Sequence, residues 1–554
     1  MLRIPLLAAA AAALAACATV PQAPAAAPAL SFETMQEVTR TLASDEFEGR
    51  APGTPGEEKT MAYLVEQFAA AGLQPGNEGS WFQEVPLVEI SARHVAPLTI
   101  ARPGGEALTY RYGPDWVGAT YREEERIDLA DSELVFVGYG IVAPEKGWND
   151  YAGLDMRGKT AVILVNDPDY QAEGLEGPFN GRAMTYYGRW TYKYEEAARQ
   201  GAAAALIIHD EFPASYGWAT VESSWSGPQL YAQRADGGAD QTLLNAWIQK
   251  PAAQAIFTAA GRDLAELSAA AARPGFRAVP LGLTASTGFD NTIRKFASKN
   301  VVAVLPGSER PDEYVLHTAH WDHIGRCTPA ADGDDICNGA IDNATGTAAL
   351  VALAKAHAEA GPTARTQVFL AVTAEESGLL GSEYYGLDPV FPLDRTAGGV
   401  NMDALYMMGA ARNVNVIGGG KSELDALLER VLDEAGRVAS PDTSPEAGRY
   451  YRSDHFSLAK RGVPMLYIKQ GDDLVDGGTA AGQAWHARYN SEAYHGPADE
   501  YDPAWNWDGV MQDLALYYRL GRLLGDGTDW PNWLPRDEFR AVRDASCAAS
   551  PEGC

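Results

Sequence analysis

From residue 300 onward, short apolar strands alternate with helices, and acidic or histidine side chains stand where the strands end. Strands read at NVVAVLPG (300–307), EYVLHTAH (313–320), TQVFLAVTA (366–374), GGVNMDAL (398–405) and VPMLYIKQ (463–470). Helical runs lie between them at 343–360, 421–436 and 452–462. This alternation predicts an α/β fold with a mostly parallel central sheet flanked by helices. Open sheets of that kind collect functional side chains just past the C-terminal ends of their strands. Here those ends deliver His320 and Asp322, the adjacent pair Glu375 and Glu376, and Asp403. Asp342 opens a helix, and Tyr494-His495 follows later in AYHGPADEYD.

Taken singly, each residue has an ordinary explanation. A helix-opening Asp-Asn is commonly an N-cap, a Glu-Glu pair caps or faces water, and most histidines pack or are solvated. Recurrence at successive strand ends of one sheet changes the weight. Carboxylates converging on one pocket repel, and cations relieve the repulsion. Imidazole nitrogen mixed with carboxylate oxygen suits zinc, and two ions sharing a carboxylate suit hydrolysis.

The segments HTAHWDHIG, GAIDNATG, TAEESGLLGSEYY, NMDA and YHGPADEYD, in this order and spacing, resemble the M28 family of co-catalytic zinc peptidases. GRAPGTPGEEKTMAYLVEQFAAAGLQP (49–75) is similar to the opening segment of many members. The likeness covers about 31–115 and 295–525. It implies the zinc-peptidase phosphorylase/hydrolase-like fold and two Zn2+ per chain. Asp342 would bridge the ions, with His320 and Asp403 on one and Glu376 and His495 on the other. Glu375 would be the general base, and Asp322 would orient His320 from the same strand. The Tyr494 hydroxyl would help the oxyanion, with packing as its alternative. The family pattern leaves His323, His455 and His486 outside the ligand set. His94, His209, His317 and His357 read as structural or surface residues.

The activity implied is an aminopeptidase acting on peptides, with Glu375 and Asp403 available to meet a substrate's α-ammonium. An M28-type carboxypeptidase is the first alternative, since Arg449 and Arg452 in GRYYRSDH could hold a terminal carboxylate. A one-zinc glutaminyl cyclase and an inactive binding protein are further ones; the filled ligand positions and the intact Glu375 argue against both.

Between the two halves lies a block with its own strand signals at 133–142, 159–167 and 203–210. Its FVGYGIV, LDMRGKTAVIL and AARQGAAAALII look like a protease-associated (PA) domain, β-rich and inserted into the catalytic domain. The expected organisation is a catalytic part at 31–119, the insertion at 120–290, a second catalytic part at 291–530 and a tail at 531–554.

The N-terminus supplies Arg3, an apolar run from Pro5 to Ala16, and Leu14-Ala15-Ala16-Cys17, which resembles a bacterial lipobox. That implies a signal peptide over 1–16, lipidation of Cys17 and an Ala/Pro-rich linker to residue 30. Location would then be the cell envelope, as a periplasmic lipoprotein of the outer membrane touching membrane only through its lipid. The four remaining cysteines form two local pairs in an oxidising space, Cys327 with Cys337 and Cys547 with Cys554. Lys+Arg 44 against Asp+Glu 74 leaves a formal charge of −30, which argues against a nucleic-acid partner. Oligomeric state is not specified by the sequence.

Overall fold

The computed structural model describes residues 30–102, 105–549 and 554. The expected signal peptide, Cys17 and all of the linker except Leu30 lie outside the described residues.

The fold is α/β with a mostly parallel central sheet. Arg310–His320 pairs in parallel with Arg365–Val372 on one side and with Thr396–Asn401 on the other. Met465–Gln470 continues the parallel run beyond Thr396–Asn401. Antiparallel strands close both sides: residues 301–305 beside Arg365–Val372, and Asn413–Val416 beside Met465–Gln470. Strand Arg310–His320 is buried without interruption from Tyr314 to His320. Its side chains still alternate in allegiance. Val315 and Ala319 join one core, whereas Tyr314 and Leu316 join the other. A central strand covered on both faces accounts for the apolar run, which shows no polar alternation.

One face carries helices Phe32–Leu42, Pro55–Ala70, Thr345–Ala360 and Asp508–Asp526. Thr345–Ala360 is buried along most of its length, and its alanines let it lie close against the sheet. The other face carries the shorter Leu380–Leu387 and His455–Ala459. The helix expected over 452–462 is confined to the five residues His455–Ala459, and a separate 3-10 turn, Arg449–Tyr451, precedes it.

The block between the halves has hydrophobic cores of its own on the two faces of its strands. Leu134 and Phe136 face one, and Val135 and Val137 the other. Its strands Thr160–Leu164, Ala204–His209 and Leu244–Gln249 run parallel. One continuous strand, Val279–Leu305, joins block and body. It pairs first with Arg126–Phe136, then with Phe82–Arg93, and last with Arg365–Val372. The boundary expected at 290/291 therefore falls inside a strand.

Both expected disulfides are formed, Cys327–Cys337 and Cys547–Cys554. The first closes the loop that leads from the end of Arg310–His320 toward Asp342, so a covalent tie limits that loop on the site side of the sheet.

Two histidines sit in the apolar layer under Thr345–Ala360. His317 stacks on Phe369 at 4.8 Å and meets Gln367 at 2.7 Å; His357 lies 5.3 Å from it, ring to ring. Burial pushes His317 down to about 4, and burial together with His317 holds His357 well below the usual imidazole range. Both stay neutral in the folded chain, whereas the unfolded chain takes up protons near pH 6.5. Their contribution is present above that pH and is lost as pH falls toward 4, by about 1.4 kcal/mol per pH unit for each residue inside the window. The melting temperature should accordingly fall between pH 6.5 and 4.5, and His357→Leu should flatten that slope. An identical pH profile in the variant would contradict this account.

Candidate metal centre

Five segments converge at the C-terminal ends of the parallel strands. His320 is the last residue of its strand. Glu375 and Glu376 follow Arg365–Val372, and Asp403 follows Thr396–Asn401. Asp342 occupies the irregular turn Ala340–Ala344 before Thr345–Ala360, and His495 lies just past helix Gly478–Glu492. Three residues that are candidate ligands or directly adjoin a candidate site residue have left-handed backbone without being glycine. They are Ala374, Ala404 and His495, at φ 53°, 50° and 58°. Such strain costs about 1–3 kcal/mol per residue and persists only where the surroundings enforce it.

Asp342 is the hinge of the geometry. Its Oδ1 is 3.3 Å from His320 Nε2 and its Oδ2 is 3.5 Å from His495 Nε2. Asp403 Oδ1 lies 3.9 Å from His320 Nε2, and Glu376 Oε2 lies 3.1 Å from His495 Nε2. Ligand atoms about 2.0–2.2 Å from one tetrahedral zinc stand roughly 3.3–3.6 Å apart, close to these separations. His320 Nε2 is buried and makes no hydrogen bond, though it faces two carboxylates. An imidazole nitrogen so placed fits ligation of a cation shared with those carboxylates. The residues present therefore suit a zinc-type cation held by imidazole and carboxylate.

Other groups hold this arrangement. Asn343 Oδ1 accepts from Gly346 N and Ala404 N at 3.0 Å each, while its Nδ2 donates to Met402 O at 3.1 Å. Asn343 therefore caps the helix and pins it to the Asp403 loop, leaving the Asp342 side chain free to face His320 and His495. The Asp499 carboxylate accepts from Ile341 N and Asp342 N at 2.9 and 3.1 Å, which ties the His495 segment to the Asp342 turn. Arg50, fully buried, donates to Trp321 O, Asn338 O and Gly339 O at 2.9, 2.7 and 2.9 Å. Lys469 Nζ contacts both the carbonyl and the carboxylate of Asp403.

Asp322 departs from the expected placement. The strand ends at His320, so strand alternation does not direct Asp322. His320 Nδ1 meets the Asp322 carbonyl at 3.1 Å, and the carboxylate stands at 3.9 Å. That carboxylate instead accepts from Glu375 N at 3.1 Å and so fixes the residue expected to act as base. His323 also sits deeper in the site than its motif position suggests, with Nδ1 2.5 Å from Glu376 Oε1. Tyr494 stacks on His495 at 3.9 Å between ring centroids and lines the cavity above the cluster. Of the remaining histidines singled out, His486 pairs with Asp472 at 3.2 Å on the same cavity, and His455 packs between Tyr450 and Tyr467.

The electrostatics separate the two adjacent glutamates. Burial, with Glu376, Asp403 and Asp454 nearby, holds Glu375 well above the usual carboxyl range, although His320 opposes it. Burial also works to raise Glu376, but His495 and His323 outweigh it and bring Glu376 down to about 2. Burial opposes the charged forms of His320 and His495, yet the carboxylates prevail. Glu375, Asp342 and Asp403 hold His320 well above its usual value, and Glu376 with Asp342 pushes His495 up to about 11. Burial raises Asp322 and Asp454 to about 7 each. The signals missed in the sequence were Asp499, inside the quoted YHGPADEYD, and Arg50, inside GRAPGTPGEE; both were visible as motif members without a role.

The family model described as Peptidase family M28 matches residues 300–518. A probable zinc metalloprotease of Pyrenophora teres f. teres is 43% identical over 83 residues, 15% of this chain and 17% of that protein. The chain thus spans under a fifth of that relative's length. Leupeptin-inactivating enzyme 1 of Streptomyces exfoliatus is 27% identical over 285 residues, 48% of this chain and 58% of the relative. Among solved structures, an aminopeptidase from Aneurinibacillus sp. strain AM-1 superposes with a TM-score of 0.49 at 19% identity, over 90% of this chain and 94% of the other. The segment matched by the Peptidase family M28 model, residues 300–518, contains His320, Asp342, Glu375, Glu376, Asp403 and His495.

Proposed function

We propose that this protein is a two-zinc metallopeptidase that removes N-terminal residues from peptides. One observation carries the reading: the two oxygens of Asp342 face two separate histidine–carboxylate groups, His320 with Asp403 and His495 with Glu376. When bound, the zinc pair would polarise the scissile carbonyl and acidify a water toward neutrality. Everything else belongs to the chain. Glu375 sits within 4.8 Å of ligand atoms of His320 and Glu376, close enough to take a proton from that water. It would then carry the proton to the leaving amine. Asp322 keeps Glu375 in place through its backbone N–H. The Tyr494 hydroxyl lies on the same cavity and would donate to the oxyanion.

The cavity, about 460 Å3, also carries Glu375 and Asp403, which would receive the α-ammonium of the substrate. Its volume is that of a small-ligand site, which favours an exopeptidase. The block between the halves is read as a PA domain that narrows access to this cavity. The N-terminal segment is read as a lipoprotein leader that places the enzyme in the periplasm on the outer membrane.

Two outcomes are expected. Glu375→Gln should bind zinc with the wild-type stoichiometry and lose turnover of free-amine dipeptides by at least about 100-fold, the lower end of general-base contributions. A variant that retains most activity removes Glu375 from the chemistry, and hydrolysis confined to N-blocked dipeptides removes the aminopeptidase. The second concerns protons. In protein stripped of metal, His495 at about 11 is protonated at neutral pH and must lose that proton to become a ligand. Zinc affinity should therefore rise with pH between 6 and 8. Calorimetric titrations in buffers of different ionisation enthalpy should show net proton release, and the absence of any release would contradict this ligand assignment.

A further inference from the structure

Among the described residues, four buried arginines each donate to at least one carboxylate or carbonyl, although Arg365, Arg437 and Arg543 each keep one nitrogen without a partner. Arg50 donates to backbone carbonyls, Arg365 meets Glu313 at 2.6 Å, Arg437 meets Asp513 at 2.7 Å, and Arg543 donates to Thr396 O at 3.0 Å. Arg189 and Arg452 have no such acceptor among the described residues. Arg189, at 8% exposure, leaves Nε buried and unpartnered. Arg452 leaves both Nε and Nη2 buried and unpartnered, and its guanidinium lies 5.8 Å over the ring of Tyr216. The two cations are close enough that Arg452 works with burial to lower Arg189, to about 9. A buried and a half-buried guanidinium side by side without counter-ions are costly, and their retention calls for an anion that is not part of the fold.

The position of the pair says which anion. Arg452 and Arg449 line the same cavity as Asp342, Glu375 and Asp403. Arg189 and Tyr216 come from the inserted block and stand behind Arg452. That block also grips the loop before Arg452: Met184 N donates to Pro445 O at 3.1 Å, and Arg182 meets Glu446 at 3.5 Å. The guanidinium fork matches carboxylate geometry. Every short peptide with an unblocked C-terminus carries a carboxylate there.

We propose that Arg452, backed by Arg189 and flanked by Arg449, forms a carboxylate subsite that anchors the free C-terminus of a di- or tripeptide substrate. The inference rests on the peptidase reading for its choice of ligand, and its test reads binding instead of turnover. Zinc-loaded Glu375→Gln protein is titrated by calorimetry with Leu-Gly, with Leu-Gly amide and with Leu-Glu amide, whose only carboxylate is on the side chain. Leu-Gly should bind at least tenfold tighter than Leu-Gly amide. Arg452→Met in the same background should bring the two within about twofold. Arg452→Lys, which keeps the charge without the fork, should restore part of the difference, and Arg189→Met should weaken Leu-Gly binding selectively. Equal binding of Leu-Gly and its amide to the parent protein overturns the proposal. So does an unchanged preference in folded Arg452→Met, with Arg452→Lys as the control should the methionine variant not fold. Leu-Glu amide binding as tightly as Leu-Gly overturns the C-terminal assignment and transfers the subsite to acidic side chains. Absence of hydrolysis by the parent enzyme would instead sink the peptidase reading and leave these binding differences standing.

Discussion

Mutual repulsion among Asp342, Glu375, Glu376 and Asp403, gathered within a few ångströms at the end of one sheet, is the constraint on which the rest of the structure turns. No fold places carboxylates so close without compensation. The chain supplies part of it through His320, His495 and Lys469, and the separations leave room for the rest to come from cations. The supports follow from this need. Asn343 and Asp499 fix the Asp342 turn from either side, and Arg50 binds the carbonyls of both loops that approach it. Left-handed residues at Ala374, Ala404 and His495 aim the side chains where regular strand ends would not.

Much of this was legible in the sequence because the signals were local. The strand preceding His320, the pair after Arg365–Val372 and the Asp403 loop were each marked by an apolar run ending in polar residues. The structure brings together all five residues that the motif order selects as ligands, with Glu375 beside them. What escaped was geometry beyond the strand ends. Asp322 was assigned its direction from strand periodicity, which stops at His320, so its real contact with the Glu375 backbone was invisible. His323 was set aside by motif position, yet a loop turn brings it to Glu376. Arg452 was recognised as a basic residue near the site, but its want of a partner depends on Arg189, some 260 residues earlier in the chain.

The inserted block enters the argument through one strand. Val279–Leu305 belongs to the block at its start and to the catalytic sheet at its end, so the two parts share hydrogen-bonded backbone. A composition shift at 251–280 is visible in the sequence, but a strand long enough to serve two sheets reads as two separate strands when only local patterns are used. The continuity explains how Tyr216 and Arg189, from the inserted block, come to lie beside Arg452.

The central claim is that two cations share Asp342, and metal counting tests it most directly. Elemental analysis of purified, zinc-replete protein should give close to two zinc ions per chain, and Asp342→Asn should lower the occupancy of both sites together. A single zinc that survives Asp342→Asn would contradict the shared centre.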